Sequence, residues 1–200
     1  SLTFSVLFRL KPEEYAVLGR FTALGALAVA RALKSLAGVE ALVKWPNDVL
    51  LNGRKICGVL AEADVQAGAA GSVVVGVGIN LLPGAFDTSS AMNFPASDVF
   101  TETSVKVNAE NWLWRVLGEM NALRSLLVEE DFTREWNEHL AFRGELRNIR
   151  NHKGETGEFR LLGILTDGSL CLEDADGQRF SLQSAEVLPS PSSSSSASSG

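Results

Sequence analysis

The segment VKWPNDVLLNGRKICGVLAE, residues 43–62, contains the pattern that decides the fold of this chain. Val49 to Leu51 is apolar and predicts a strand. Asn52-Gly53 follows, and this pair is the strongest short signal for a two-residue hairpin turn, because both of its central residues adopt positive φ. Lys55 to Glu62 is then the partner strand. The polar KWPND run before Val49 predicts a corner, since Pro46 has no N–H to give to a strand ladder.

The hairpin brings charged and amide groups together. Pairing across Asn52-Gly53 places the corner at Asp48 near the start of the second strand. A carboxylate able to hold magnesium, an amide and a lysine are groups that steady the phosphates of a nucleotide. Gly58 suits close approach of a ligand to the backbone. Taken singly, these residues favour ordinary roles: a core Trp-Pro kink, a solvated lysine and an Asn-Asp turn.

A second glycine pair lies on the strand predicted over residues 72–82. The strand is rich in β-branched residues, which is typical of burial on both faces. Gly76 and Gly78 are two residues apart, so they face the same side of the sheet. That bare face is either a trough for a flat ligand or the contact surface of a packed helix, and spacing alone leaves both open.

The other elements follow from hydrophobic periodicity and turn signals. A strand is predicted over residues 1–10, followed by a helix from Pro12 to about Leu36 that ends at Gly38. Further helices are predicted over residues 108–128 and 129–142, with His139 as a surface or capping residue. Short alternating strands between Gly-containing turns then predict an all-β module of four or five strands.

KWPND, followed by GRKICG at residues 53–58 and GVGINL at residues 76–81, resembles the signature of biotin protein ligases. The resemblance implies an α+β fold: a mixed sheet packed with helices, as in the class II synthetase-like biotin/lipoate ligase domain, and a small C-terminal β-barrel. It places a catalytic domain at residues 1–142, a Src-homology-like barrel at 143–189 and a disordered serine-rich tail at 190–200. The arginine- and glycine-rich loop of the family does not occur in this sequence.

The resemblance also implies an activity, which is formation of biotinyl-5′-AMP from biotin and ATP. Biotin is then transferred to a lysine of a biotin carboxyl-carrier domain. Lys55 and Asp48 are the catalytic candidates, and Asp48 would hold Mg²⁺. For Lys44, contact with phosphate and a structural pair with a carboxylate both stay open. The ATP-binding residues implied by the resemblance are Lys44, Asn47, Asp48, Lys55 and Asn80.

Biotin would lie in the trough between the two glycine strands. By the resemblance, Lys55 would be the lysine that bridges the two substrates, and Glu62 is expected to be structural. The biotin-binding residues implied in this way are Lys55, Gly58, Leu60, Gly76 and Gly78.

Composition narrows the classes of function. The 200 residues are 46% hydrophobic and carry a formal net charge of −6. This charge argues against a nucleic-acid-binding face, which needs a basic patch. No apolar run is long enough for a membrane span, and no signal peptide precedes Ser1. Two distant cysteines, Cys57 and Cys171, favour a reduced, cytoplasmic protein with buried thiols.

Two other functions compete with this hypothesis. A lipoate or octanoate protein ligase shares the lysine-glycine element, but the WPND string argues against it. A non-catalytic module that binds a carrier domain is the other, and the absent arginine-rich loop is its best support. A homodimer formed through sheet edges is left open.

Overall fold

The computed structural model describes residues 1–64, 71–84 and 94–189. Its first sheet is antiparallel and has five strands in the order β1-β5-β4-β3-β2. The strands are β1 (Leu2–Arg9), β2 (Leu42–Lys44), β3 (Asp48–Leu51), β4 (Arg54–Asp64) and β5 (Ser72–Ile79). The second sheet has five strands in the order β10-β6-β7-β8-β9. These are β6 (Leu146–Asn151), β7 (Thr156–Ile164), β8 (Leu170–Glu173), β9 (Arg179–Leu182) and β10 (Ala185–Val187).

The hairpin and the corner form as expected. Asn52 and Gly53 have φ of 52° and 75°, and β3 pairs with β4 in antiparallel fashion across them. The Trp45–Pro46 peptide bond at the corner is cis. Trp45 is buried, and its Nε1 donates a hydrogen bond of 3.1 Å to the carbonyl of Gly168 in the second sheet's turn. The corner is therefore held from the C-terminal side of the chain.

The first predicted helix is divided. Pro12–Val17 is a 3-10 helix, and α1 spans Arg20–Ala37. The predicted stop is confirmed, because Gly38 has φ of 69° and its N–H bonds to the Lys34 carbonyl. The prediction of one continuous helix is wrong. The chain bends at Leu18–Gly19, and this lets the Arg20 guanidinium bond the carbonyls of Leu127 and Thr166.

Helix α1 covers one face of the first sheet. Gly25 is the point of closest packing: a Cβ built there would lie 2.8 Å from a methyl of Val59 and 3.1 Å from one of Val75. Val59 and Val75 therefore face α1. Since side chains alternate along a strand, their neighbours in sequence face the opposite side.

Three further helices follow β5 and precede β6 in the chain: α2 (Val99–Thr103), α3 (Ala109–Arg124) and α4 (Glu130–Glu138). The predicted apolar stripes of α3 and α4 are confirmed as core. Their buried members and the core residues that follow each helix are Trp112, Val116, Met120, Leu123, Leu127, Phe132, Trp136 and Leu140. His139 caps α4, as expected, with its N–H bonded to the Glu135 carbonyl.

The C-terminal module has the five strands expected, and its turns use Gly154, Gly168 and Gly177 at positive φ. The expected barrel is an open sheet in the described residues, because no ladder there joins β9 to β10. The α+β fold class with two sheets is confirmed, but the first sheet, expected to be mixed, is antiparallel in all its ladders. Both cysteines are free thiols; Cys57 is buried as expected, whereas Cys171, expected to be buried, is partly exposed. None of the described helices is long and apolar enough to cross a membrane. The serine-rich tail at residues 190–200 lies outside the described residues.

Candidate active site

A single row of paired residues crosses the first sheet from edge to edge. Thr3 pairs with Gly78, Gly78 with Gly58, Gly58 with Asp48, and Asp48 with Lys44. Directly paired residues project on the same side of a sheet. Gly58 and Gly78 alternate with residues that face α1, so the whole row lies on the face that α1 does not cover.

The glycines make a shallow trough on this open face. A Cβ at Gly78 would meet only the Gly58 carbonyl, at 4.0 Å, and a Cβ at Gly76 would meet only the Leu60 carbonyl and the Ser5 hydroxyl, each at 3.7 Å. In the described residues, therefore, no helix packs against them. Of the two possibilities for this strand, the structure leaves the open trough.

The row beside it gives the trough an apolar rim. Ser5 pairs with Gly76, and Gly76 pairs with Leu60. Leu60 is 62% exposed, which is unusual for a leucine in a central strand. The trough thus has charge at one end and apolar surface at the other.

Three charged side chains meet at the charged end. The Lys44 Nζ lies 3.0 Å from Asp48 Oδ2, and the Lys55 Nζ forms an ion pair with Asp48 Oδ1. The side chains of Lys44 and Asp48 are 6% and 10% exposed, whereas that of Lys55 is 31% exposed. Lys44 also lies over the Phe94 ring, 5.2 Å from its centroid. Lys44 is therefore a buried partner that fixes Asp48, and Lys55 is part-exposed to solvent.

A β-bulge puts Lys55 on the open face. Val49 pairs with Cys57, but Leu50 pairs with Lys55, so Ile56 is an extra residue in β4. Without this residue, Lys55 would project on the opposite side to Gly58, which lies three positions along the strand. With it, the Lys55 Nζ lies 3.5 Å from where a Cβ of Gly58 would be.

The backbone at Lys55 is fixed from a neighbouring loop. Its N–H donates to the Pro95 carbonyl and its carbonyl accepts from the Ser97 N–H, both at 2.9 Å. This loop also supplies Phe94, which contacts Lys44. These residues lie in the connection between β5 and α2, and the described part of this connection contributes to the site.

Asn47 and Asn80 flank the row, and their amide groups bond to the backbone. Asn47 Nδ2 donates to the Val59 carbonyl and Asn80 Nδ2 donates to the Ser97 carbonyl, each at 3.0 Å. These bonds hold the two sides of the corner and the loop in place. A contact between either amide and a nucleotide stays a prediction.

Cys57 does not add a nucleophile to the site. Burial raises the pKa of its thiol strongly, and the nearby charge of Asp48 raises it further. The thiolate form is therefore suppressed, and Cys57 behaves as a small core residue.

The donor set does not fit a magnesium ion held by protein side chains. Each Asp48 oxygen faces a lysine ammonium group. Within the described residues no group of three or more His, Cys, Asp and Glu side chains could hold a metal ion. A magnesium ion in this protein stays a prediction.

The structure brings Lys44, Asp48, Lys55, Gly58 and Gly78 together, as predicted, and places Gly76 and Leu60 in the adjacent row. Of the two roles left open for Lys44, the structure contains the ion pair with a carboxylate, which is that of Asp48. Sequence reasoning missed Thr3 and Ser5, which share the open face from β1, and Phe94. The alternating pattern of β1 would have indicated Thr3 and Ser5 if the pairing of β1 with β5 had been known.

Residues 1–80 match the model of the Biotin/lipoate A/B protein ligase family. The bifunctional ligase/repressor BirA of Bacillus spizizenii is 27% identical over 161 residues, which cover 79% of this chain and 49% of the relative. The biotin--[acetyl-CoA-carboxylase] ligase of Paracoccus denitrificans is 40% identical over 92 residues, which cover 44% of this chain and 38% of the relative. The chain thus spans about half or less of each of these relatives.

Solved structures have the same fold. The biotin protein ligase of Aquifex aeolicus aligns with a TM-score of 0.75 at 20% identity, over 93% of this chain and 82% of that one. A complex of the Aquifex aeolicus ligase with biotin and ATP aligns with a TM-score of 0.74 at 21% identity, over 93% of this chain and 77% of that one. The resemblance drawn from KWPND and the glycine strands is confirmed as a similarity: the chain is similar to biotin protein ligases in sequence and fold, and residues 1–80 match the biotin/lipoate A/B protein ligase family.

Proposed function

We propose that this chain carries the adenylating site of a biotin protein ligase. The observation that carries the proposal is the row Lys44–Asp48–Gly58–Gly78, with Lys55 above its glycines. It joins a cationic end to an open trough whose floor carries no side chain at Gly58 and Gly78. The match of residues 1–80 to the family and the relatives named as ligases support it.

In the first step, a carboxylate oxygen of biotin attacks the α-phosphorus of ATP. The bond from that phosphorus to the bridging oxygen breaks, and pyrophosphate leaves with the bonding electrons. Two anions must meet for this to happen, so a positive charge between them lowers the barrier. Lys55 is the residue proposed for this role, because its ammonium group is part-exposed, lies over the trough and sits on a flexible stem.

In the second step, the neutral amine of an acceptor lysine attacks the acyl carbon of biotinyl-5′-AMP. An amide bond forms, AMP leaves, and the amine loses a proton. The acceptor proposed is the biotin carboxyl-carrier domain of a carboxylase. Among this chain's residues, the proposed biotin contacts are Gly58, Leu60, Gly76 and Gly78, and the proposed nucleotide contacts are Asn47 and Asn80.

The domain boundary near residue 142, the homodimer, the cytoplasmic location and the absence of nucleic-acid binding stay predictions. The contacts of Trp45 with Gly168 and of Arg20 with Thr166 support a C-terminal module that is docked on the catalytic part.

Biotin-dependent release of pyrophosphate from ATP tests the proposal. The assay is run with this chain and with any longer native form, and with lipoate in place of biotin. Release that requires biotin and not lipoate supports a biotin ligase. Release with lipoate alone favours a lipoate ligase. A stable complex with a carrier domain and no release from either form favours the non-catalytic module.

A further inference from the structure

We propose that Asp48 is a positioning residue that aims Lys55 into the trough, and that it does not act as a magnesium ligand. The inference rests on the proposed function, in which Lys55 meets the ligand's carboxylate. It is carried by the contacts of both Asp48 oxygens and by the difference in burial between the two lysines.

Both oxygens of Asp48 are engaged by cations of the protein itself. Lys44 Nζ lies 3.0 Å from Oδ2, and Lys55 Nζ is paired with Oδ1. A divalent ion at Oδ2 would displace Lys44 and leave a buried ammonium group without its counter-charge, which is strongly unfavourable. At Oδ1 it would compete with Lys55, the residue that the reaction needs at that place.

Lys44 fixes the orientation of the carboxylate. Its side chain is 6% exposed and lies over the Phe94 ring, so the ammonium group is enclosed in the fold. Because Lys44 holds Oδ2, Oδ1 is the oxygen left to pair with Lys55, which covers it beside Gly58. A Cβ at Gly58 would stand 3.9 Å from this oxygen and 3.5 Å from Lys55 Nζ.

The cluster keeps one positive charge for the ligand. Two ammonium groups and one carboxylate give a formal local charge of +1. Lys44 pairs with Asp48 on the buried side. Because Asp48 keeps this partner, Lys55, which is 31% exposed, can turn from Oδ1 to an incoming carboxylate without leaving Asp48 unpaired. Without Lys44, the Asp48–Lys55 pair would be neutral, and Lys55 would have to leave Asp48 unpaired in order to bind the ligand's carboxylate.

The test is the affinity for biotin alone, measured by titration calorimetry in EDTA and without ATP. If Asp48 only held a metal ion, its loss would not change biotin affinity in EDTA. If Asp48 positions Lys55, its loss weakens biotin binding under the same conditions. Asp48→Asn is expected to weaken biotin binding by about tenfold or more, because one charge-assisted contact loses its geometry. Asp64→Asn, on the same strand β4 at its exposed end, is the matched control and is expected to bind as the wild type does.

Pyrophosphate release provides a second readout. With Asp48→Asn, kcat is expected to fall at every magnesium concentration, and the magnesium concentration that gives half-maximal rate is expected to stay the same. Biotin binding equal to that of the wild type in EDTA, or recovery of kcat at high magnesium, would overturn the inference.

A double variant separates positioning from folding. Asp48→Asn alone leaves Lys44 buried and unpaired, whereas Lys44→Met with Asp48→Asn removes both charges of the buried pair. The double variant is expected to regain the thermal midpoint of the wild type while biotin binding stays weak. Recovery of both would mean that Asp48 acts on stability only. Failure of the wild type to bind biotin would instead overturn the proposed function and this inference with it.

Discussion

Gly58 and Gly78 are direct partners across β4 and β5, and both face away from α1. Their neighbours on those strands, such as Val59, face the helix and are buried. The same two strands therefore supply a packed face and a bare face. This alternation turns a central part of the sheet into a trough without breaking its ladder of hydrogen bonds.

Filling the trough tests its role as a binding surface. Gly78→Val is expected to abolish biotin binding, because the two methyl groups would occupy the trough floor. The fold is expected to tolerate the change, since the Cβ meets only the Gly58 carbonyl at 4.0 Å and valine is favoured in strands. Calorimetric titration with biotin and thermal unfolding together check both parts.

The control for that change is Ser72→Val, which adds a branched side chain on the same face at the other end of β5. It is expected to leave biotin affinity unchanged. Retained affinity in Gly78→Val would mean that the bare face serves another purpose.

Lys55→Ala tests the charge at the head of the trough. The rate of biotin-dependent pyrophosphate release is expected to fall by about 10²–10³, as is common when a charge-stabilising donor is lost. Lys55 is part-exposed, so the denaturation midpoint should change little. Lys153→Ala, in an exposed turn, is the matched control. Ordinary turnover in Lys55→Ala would refute the role assigned to it.

Helix α1 packs so closely on the sheet that a side chain at Gly25 has no room. Gly25→Leu is expected to lower the free energy of unfolding by about 1–3 kcal/mol through overpacking against Val59 and Val75. Gly118→Leu in α3 has nothing within 4 Å of its Cβ. It should raise stability by about 0.8 kcal/mol, because leucine is the better helix former. Urea titrations of both variants check the pair, and equal effects would contradict this packing.

Stability at acid pH depends on a buried carboxylate outside the site. Burial raises the pKa of Glu14, but hydrogen bonds from Arg124 and from the Lys11 N–H outweigh it, so this pKa lies below its ordinary value of 4.5. A lowered folded-state pKa stabilises the protein above the unfolded-state pKa, and the contribution is lost as pH falls through the folded-state value.

Glu14→Gln is accordingly expected to lower the free energy of unfolding at pH 7 and to flatten its decline below about pH 4.5. Urea denaturation across this range measures both effects. Glu13→Gln, at the exposed neighbouring position, should follow the wild-type curve. A Glu14→Gln curve that parallels the wild type would show that this pair does not govern acid stability.

Local signals in the sequence predicted most elements of the fold. Asn52-Gly53, Gly38 and the stripe of α3 are set by neighbours within a few residues, so their outcome could be worked out from the chain alone. The break at Leu18–Gly19 was not predicted; Arg20 beside it bonds carbonyls of residues more than a hundred positions away, and local periodicity does not contain such contacts.

The sequence indicated which residues form the candidate site, but it did not indicate how their side chains are arranged. KWPND and the glycine strands predicted Lys55, Asp48 and Gly78 as site residues, and the structure brings these three together. The bulge at Ile56, which turns Lys55 to the open face, depends on strand register, and no residue type announces it. The contact of Lys44 with Phe94 likewise joins segments far apart in sequence.

Biotin-dependent release of pyrophosphate from ATP, compared between the wild type and Lys55→Ala, tests the central claim most directly. The account predicts release that requires biotin, from this chain or from a longer native form, and a loss of about 10²–10³ in rate on substitution of Lys55 in the same form. Absence of biotin-dependent release from both forms, with the fold confirmed, or an unchanged rate in Lys55→Ala, would contradict it.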